Sequence, residues 1–204
     1  SLYTEAIRRP EVAILSIATR PDCLSPEVLD LLSELNQIKP VWIELGLQTI
    51  HPHTADYIRR GYPLSVYDTA VCELHERGIE VITHVILGLP GETTDDMQAT
   101  ADYIAHQPIQ GVKFQLLHVL KGTDLYTDYL GQSFHTLTLD EYTDILIRCI
   151  ELMPPEMVIH RITGDGPKNI LAAPDWSRNK KQVLNHIHHC MKIRNTWQGR
   201  CYLQ

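Results

Sequence analysis

The stretch Val81-Ile82-Thr83-His84-Val85-Ile86-Leu87-Gly88-Leu89-Pro90-Gly91-Glu92-Thr93-Thr94-Asp95-Asp96 decides the fold. Its first seven residues are apolar or β-branched apart from His84, the pattern of a strand buried on both faces. Gly88 and Gly91 bracket a turn, and glycine lets a backbone approach a ligand closely. Two threonines and two aspartates then open a helix, where acidic groups suit the positive end of the dipole. A strand, a tight turn and a helix N-terminus make one βα unit.

Working outward, the unit repeats. Apolar, β-rich runs occupy 12–17, 41–45, 81–87, 112–119 and 157–163. Helical periodicity fills 26–38, 64–77, 93–106, 139–153 and 177–194. Ser25 stands as an N-cap before Pro26, Gly78 as a glycine stop, and Pro154-Pro155 ends the fourth helix. Strands separated by helices imply right-handed crossovers and a parallel sheet. The expected fold class is α/β, a partial (β/α) barrel, because five units fall short of the eight that close one. Residues 2–9 read as a helix leading into the first strand. The expectation is therefore that N-terminal strands of the barrel are missing and lie upstream. Two segments are expected: residues 1–163 as the barrel part, and 164–204 as an extension carrying a basic helix.

Composition narrows the function. The chain has 204 residues, 44% hydrophobic and 21% charged. Its apolar runs are strand-length and too short to cross a bilayer. The expected location is cytoplasmic, with no membrane partner. A formal charge of −7 excludes a uniformly basic nucleic-acid surface. Lys168, Arg178, Lys180, Lys181, Lys192, Arg194 and Arg200 nevertheless gather near the end, opposed by Asp175. They read either as a site for phosphate or an acidic partner, or as a solvated helix face. Cys23, Cys72, Cys149, Cys190 and Cys201 include no CxxC pair and are expected mostly as small buried residues. His186, His189 and Cys190 fall within one helical turn beside His188. No second ligand group stands at metal spacing, so a partly exposed helix face is expected and no metal site.

Side chains alternate along a strand. Glu44, Gly46 and Gln48 share a face, as do Ile82, His84, Ile86 and Gly88, and Lys113, Gln115 and Leu117. Burying such polar groups without partners costs a few kcal/mol each. A polar, ligand-holding lumen explains them together; a hydrogen-bond network that only supports the fold is the alternative.

Four motifs occur in order: Ser16-Ile17-Ala18-Thr19-Arg20-Pro21-Asp22, Ile43-Glu44-Leu45-Gly46-Leu47-Gln48-Thr49-Ile50, Arg59-Arg60-Gly61-Tyr62, and His84 through Glu92. Together they resemble strands four, five and six of radical-SAM barrels, with the elongator catalytic subunit and oxygen-independent coproporphyrinogen oxidase as relatives. Arg161-Ile162-Thr163-Gly164-Asp165-Gly166, Ala173-Pro174-Asp175-Trp176-Ser177 and Trp197-Gln198-Gly199 resemble the YhcC/YtqA-type subgroup. The resemblance implies that Gln48 and His84 reach the ribose of S-adenosylmethionine and that Arg60 pairs with its methionine carboxylate. It implies that the loop Gly88, Leu89, Pro90 and Gly91 passes the adenine. Ala18 stands where several relatives carry a glutamate, so that contact is not implied here.

The CxxxCxxC loop that holds a [4Fe–4S] cluster is absent, and the five cysteines lie too far apart in sequence to replace it. The intact enzyme is expected to use S-adenosylmethionine and the cluster to release a 5′-deoxyadenosyl radical onto an unknown substrate. This chain is not expected to hold the cluster. Glu44, Lys113, Gln115, His118, Thr163 and Asp165 are the expected substrate-side residues. Two other readings are a non-radical barrel lyase or aldolase, with Lys113 as Schiff-base nucleophile, and an RNA (tRNA)-binding module. Self-association through the first strand's open edge is expected.

Overall fold

A computed structural model describes residues 2–164 and 166–203. The elements follow in chain order as α1 (Leu2–Ile7), β1 (Leu15–Thr19), α2 (Pro26–Asn36), β2 (Val41–Gln48), α3 (Pro52–Tyr57), α4 (Leu64–Glu76) and β3 (Glu80–Leu87). Then come α5 (Thr94–Ala105), β4 (Gly111–Leu116), β5 (Val119–Leu120), α6 (Asp124–Leu130), α7 (Leu139–Leu152), β6 (Val158–Arg161), β7 (Leu171–Ala173) and α8 (Lys180–Arg194). Five strands form one sheet in the order β1-β2-β3-β4-β6, and every pairing is parallel. The α/β class and the parallel sheet follow the reading of the sequence. Among the described residues no helix is long and apolar enough to cross a membrane.

The sheet has two unlike faces. Ile43, Leu45, Leu47, Val81, Val85, Leu87, Val112 and Phe114 are fully buried under the helices. Tyr67, Val71 and Leu74 of α4, Met97, Ala101 and Ile104 of α5, and Tyr142, Leu146 and Ile150 of α7 complete that core. Val183 and Ile187 of α8 belong to it too. The opposite face carries Glu44, Gly46, Gln48, His84, Lys113 and Gln115. Local chemistry starts the helices: Thr93–Asp96 and Thr138–Glu141 are reciprocal capping boxes for α5 and α7.

Four local expectations are corrected. The first strand spans Leu15–Thr19, not 12–17, because Lys39 Nζ binds the carbonyls of Arg9 and Val12 and keeps that segment in a turn. Its Ser16 and Ala18 are exposed. Ser25 occupies the N-cap, but its hydroxyl donates to Glu27, a charged acceptor, in place of capping a backbone N–H. The run 112–119 breaks into β4 and β5, and β5 turns away to pair antiparallel with β7. The last strand is shorter than 157–163, ending at Arg161.

Leu89, Leu117, Val119, Phe134 and Ala173 form a second small core over the C-terminal ends of the strands. Ile58, Ile86, Leu125, Tyr126 and Tyr129 pack around it, so the short helices α3 and α6 wall this end of the sheet.

Among the described residues β1 pairs on one side only, and its other edge presents unpaired backbone groups. Sedimentation velocity over a concentration series is expected to show the sedimentation coefficient rising as the chain associates. One monomeric boundary at all concentrations would count against an edge-driven contact.

Candidate functional site: a clasped strand end and a polar lumen

β2 ends in an irregularity. Its register with β3 slips between Gly46 and Gln48, and Gln48 takes a φ of 68°. A left-handed backbone costs a residue with a Cβ on the order of 1–2 kcal/mol. Arg60 holds the chain there. It is only 7% exposed, and its Nη1 donates to the carbonyls of Leu47 (3.1 Å) and Thr49 (2.6 Å) while Nε donates to Tyr62 O (3.0 Å). The guanidinium also lies 4.8 Å over the Tyr62 ring, and the Tyr62 hydroxyl donates to Gly46 O. A Cβ at Gly46 would sit 2.6 Å from Gln48 Nε2, so a side chain there would push that amide from its place.

The result is a cleft of about 610 Å3 at the C-terminal ends of β2 and β3. Of the residues expected at the cofactor, Gln48, Arg60 and Leu89 line it and His84, Gly88 and Pro90 do not; Ile58, Ile86, Leu117 and Leu125 form its apolar wall. Gln48 Oε1 is buried and accepts no hydrogen bond among the described residues. An orphaned acceptor costs about 1–3 kcal/mol. Across the mouth, Arg59 pairs with Asp124 at 2.7 Å and the Tyr57 hydroxyl donates to Asp128 at 2.6 Å, joining α3 to α6. Arg20 was overlooked, although it stands inside one of the quoted motifs. It lines the same cleft, pairs with Asp22 and lies 5.5 Å over the Tyr62 ring. Gly88 turns at φ +87° with its N–H on Met97 Sδ, leaving Leu89 as the loop residue on the cleft wall.

Next to the cleft, on the same face, four strands contribute to one network. Ser16 Oγ donates to Glu44 Oε1 at 2.8 Å. His84 Nε2 and Lys113 Nζ both meet Glu44 Oε2, and Gln115 Nε2 meets His84 Nδ1 at 2.8 Å. Burial pushes the Glu44 carboxyl up, but Lys113, Ser16 and His84 outweigh it and hold it down to about 2. Burial lowers His84, outweighing the pull of Glu44, and Lys113 and Arg161 push it the same way. The imidazole is therefore neutral, its Nε2–H on Glu44 and its Nδ1 accepting from Gln115. Lys113 Nζ is taken by Glu44, which ties up the group that a Schiff-base lysine would need free.

The remaining expected residues lie elsewhere. His118 nests against Gly164 and Gly166, where added Cβ atoms would come within 2.4 and 2.5 Å of its ring. Thr163 is buried beside a second cleft at β6. Asp165 lies outside the described residues. His186 pairs with Asp140 at 3.0 Å. Of the cysteines Cys149 alone is buried; Cys23, Cys72 and Cys201 are exposed, which corrects the expectation of mostly buried thiols. No three His, Cys, Asp or Glu side chains converge as metal ligands among the described residues. The residues present therefore do not fit an iron–sulfur cluster.

Two outcomes follow from this geometry. Arg60→Lys keeps the charge but loses the fork; urea unfolding is expected to show a loss of about 2–4 kcal/mol, since buried carbonyls lose their partners. Unchanged stability would mean that Arg60 serves a ligand and not the strand end. The folded value of Glu44 lies below the ordinary 4.5, so its stabilisation is complete above about 4.5 and drains as pH falls toward about 2. Thermal unfolding of the native chain and Glu44→Gln should converge across that window. A gap that stays constant there would contradict the network.

Comparison with known proteins places the chain. The model of the radical SAM superfamily matches residues 2–104, and that of the radical SAM C-terminal domain matches 109–193. The chain is 43% identical to the uncharacterized protein YtqA of Bacillus subtilis, covering 98% of this chain and 62% of that one. It is 34% identical to YhcC of Escherichia coli K12, covering 88% and 59%. It thus spans about three fifths of the length of these curated relatives. The archaeal Elp3 of Methanocaldococcus infernus, with its N-terminus deleted, superposes with a TM-score of 0.79 over 91% of this chain and 43% of its own, at 21% identity, which speaks for the fold alone. Matched along both of its halves by the family's own models, the chain belongs to the radical SAM superfamily.

Proposed function

We propose that the cleft at the end of β2 is the S-adenosylmethionine site of a radical SAM enzyme. One observation carries this reading: Gln48 Oε1 is buried in the cleft wall with its acceptor capacity unspent among the described residues. A ribose hydroxyl is a donor of the right kind. Ile58, Ile86, Leu89, Leu117 and Leu125 offer the apolar surface that a purine ring needs. Of the two guanidinium groups on the wall, Arg60 spends its Nε and Nη1 donors on backbone carbonyls, and Arg20, paired with Asp22, is the cation left to meet a carboxylate.

When bound in such an enzyme and supplied with an electron, S-adenosylmethionine provides radical hydrogen abstraction. The residues of this chain bind and orient. Arg60 fixes the β2 end so that Gln48 faces the cleft, and the α3–α6 contacts limit the access of water. Glu44, His84, Lys113 and Gln115 offer a polar floor on the substrate side, where Glu44 holds the proton of His84 at Nε2. The cluster belongs to a part of the enzyme that these residues do not form.

Calorimetric titration with S-adenosylhomocysteine, which has the adenosyl group but no reactive sulfonium, tests the site. The native chain should bind it weakly, and Gln48→Ala should bind roughly tenfold more weakly, the loss of one buried hydrogen bond. Equal binding by both, or none by the native chain, would contradict the assignment.

A further inference from the structure

β6 closes the sheet on the side away from β1, and its pairing with β4 is irregular. The register slips between Val112 and Lys113, so Arg161 stands opposite Lys113. The slip turns Arg161 toward the lumen at the sheet's last strand. It is half-buried there and makes no hydrogen bond or ion pair among the described residues. This sets it apart from Arg20, Arg59, Arg60, Arg77, Arg148, Arg178 and Arg194, each held by a carboxylate or a carbonyl.

The surroundings sharpen the contrast. Among the described residues, two cations, Lys113 and Arg161, share this part of the lumen with the carboxylate of Glu44, which is spent on Lys113, Ser16 and His84. The field of Arg161 reaches His84 and helps to keep it neutral. A half-buried guanidinium left unpaired beside another cation is costly unless an anion joins it. Space for one is present. A cleft of about 500 Å3 between β6, α7 and α8 is lined by Arg161, His160, Thr163 and Lys180. Lys180 adds a second cation at its wall. The Thr163 hydroxyl, in a residue only 4% exposed, makes no hydrogen bond among the described residues. Gln198 is no part of this donor set, because its amide is fixed on the carbonyls of Pro154 and Met157.

We infer that Arg161, with Thr163 and Lys180, forms a binding site for a phosphate group. A guanidinium fork meets two phosphate oxygens at once, which a lone ammonium does not. This site shares no lining residue with the Gln48 cleft, and the Glu44–His84–Lys113 network lies between them. A phosphate-bearing ligand anchored at Arg161 would extend over that network toward the cleft. The phosphate site does not depend on what the Gln48 cleft binds.

The test is a titration of the 15N-labelled chain with inorganic phosphate at constant ionic strength, balanced with chloride and followed by amide shifts. Saturable shifts are expected at residues 160–163 and 180–184. Arg161→Gln should weaken binding roughly tenfold or more, the loss of at least one charge-assisted hydrogen bond, whereas Arg161→Lys should recover part of it. Arg148→Gln, on the outer face of α7, should bind like the native chain. The amide spectrum of each variant reports its fold; should Arg161→Gln not fold, Arg161→Lys and Thr163→Val carry the comparison. A ribonucleoside monophosphate and a single-stranded RNA oligonucleotide then separate the sources. Tighter binding of the monophosphate indicates a small phosphorylated ligand. Tighter RNA binding that falls steeply with salt indicates a nucleic-acid backbone. Both outcomes support the site if Arg161→Gln abolishes the gain. Binding untouched by Arg161→Gln, shifts elsewhere on the molecule, or the same shifts with chloride alone would overturn it. S-adenosylhomocysteine titrated into the same samples keeps a failure here distinct from a failure of the Gln48 cleft.

Discussion

The C-terminal end of the sheet depends on one buried cation. Arg60 donates to the carbonyls of Leu47, Thr49 and Tyr62 and stacks on the Tyr62 ring. Without it, the slip in β2 would leave those carbonyls without a partner and Gln48 in an unfavourable backbone conformation. With it, Gln48 is presented at the cleft with an acceptor to spare, and Tyr62 closes on Gly46 from the other side. Strain and an unspent acceptor together amount to a few kcal/mol stored at the strand end. Such a local cost persists where the surrounding structure over-determines it, and it is characteristic of sites that bind.

The lumen obeys a second constraint, charge balance at low solvent exposure. Glu44 accepts from Ser16, His84 and Lys113 on both of its oxygens. That arrangement keeps the carboxylate charged against its burial, whereas burial, outweighing the pull of Glu44, lowers the imidazole. Of the two readings of the polar strand residues, ligand-holding lumen and internal network, the side chains meet the second: they satisfy one another on the face of the sheet beside the cleft. What the network does not absorb is the charge of Arg161, which stands beside Lys113 and also lines the cleft at β6.

Much of this was legible in the sequence because its signals are periodic. The β-rich runs and the helices between them mark the parallel sheet, and alternation along β2, β3 and β4 put Glu44, Gln48, His84, Lys113 and Gln115 on one face. Gly78 and the acidic start of α5 marked their boundaries for reasons of backbone chemistry. The elements that were missed share a cause. α3, α6, β5 and β7 are short and owe their existence to packing on the second core, which no local pattern announces. The first strand was misplaced because Lys39, far along the chain, holds residues 9–12 in a turn.

Site roles were harder to read than site membership. The resemblance implied cofactor contacts for Arg60 and His84, but not that Arg60 would spend its donors on carbonyls or that both nitrogens of His84 would be engaged within the sheet face. Arg20 and Arg161 were quoted only as parts of motifs. Their importance rests on neighbours brought together by the sheet, and on a register slip that depends on two strands at once. A residue's partners are a property of the fold, and a one-residue slip changes the face to which a side chain points.

The central claim is that the Arg60 clasp aims Gln48 at an adenosyl ligand. A crystal structure of the chain soaked with S-adenosylhomocysteine tests it most directly. The account predicts a ribose hydroxyl in hydrogen-bond contact with Gln48 Oε1, the purine against Ile86 and Leu125, and Arg60 still on its three carbonyls. Ligand bound outside this cleft, or a Gln48 that has left its left-handed conformation to bind it, would contradict the account.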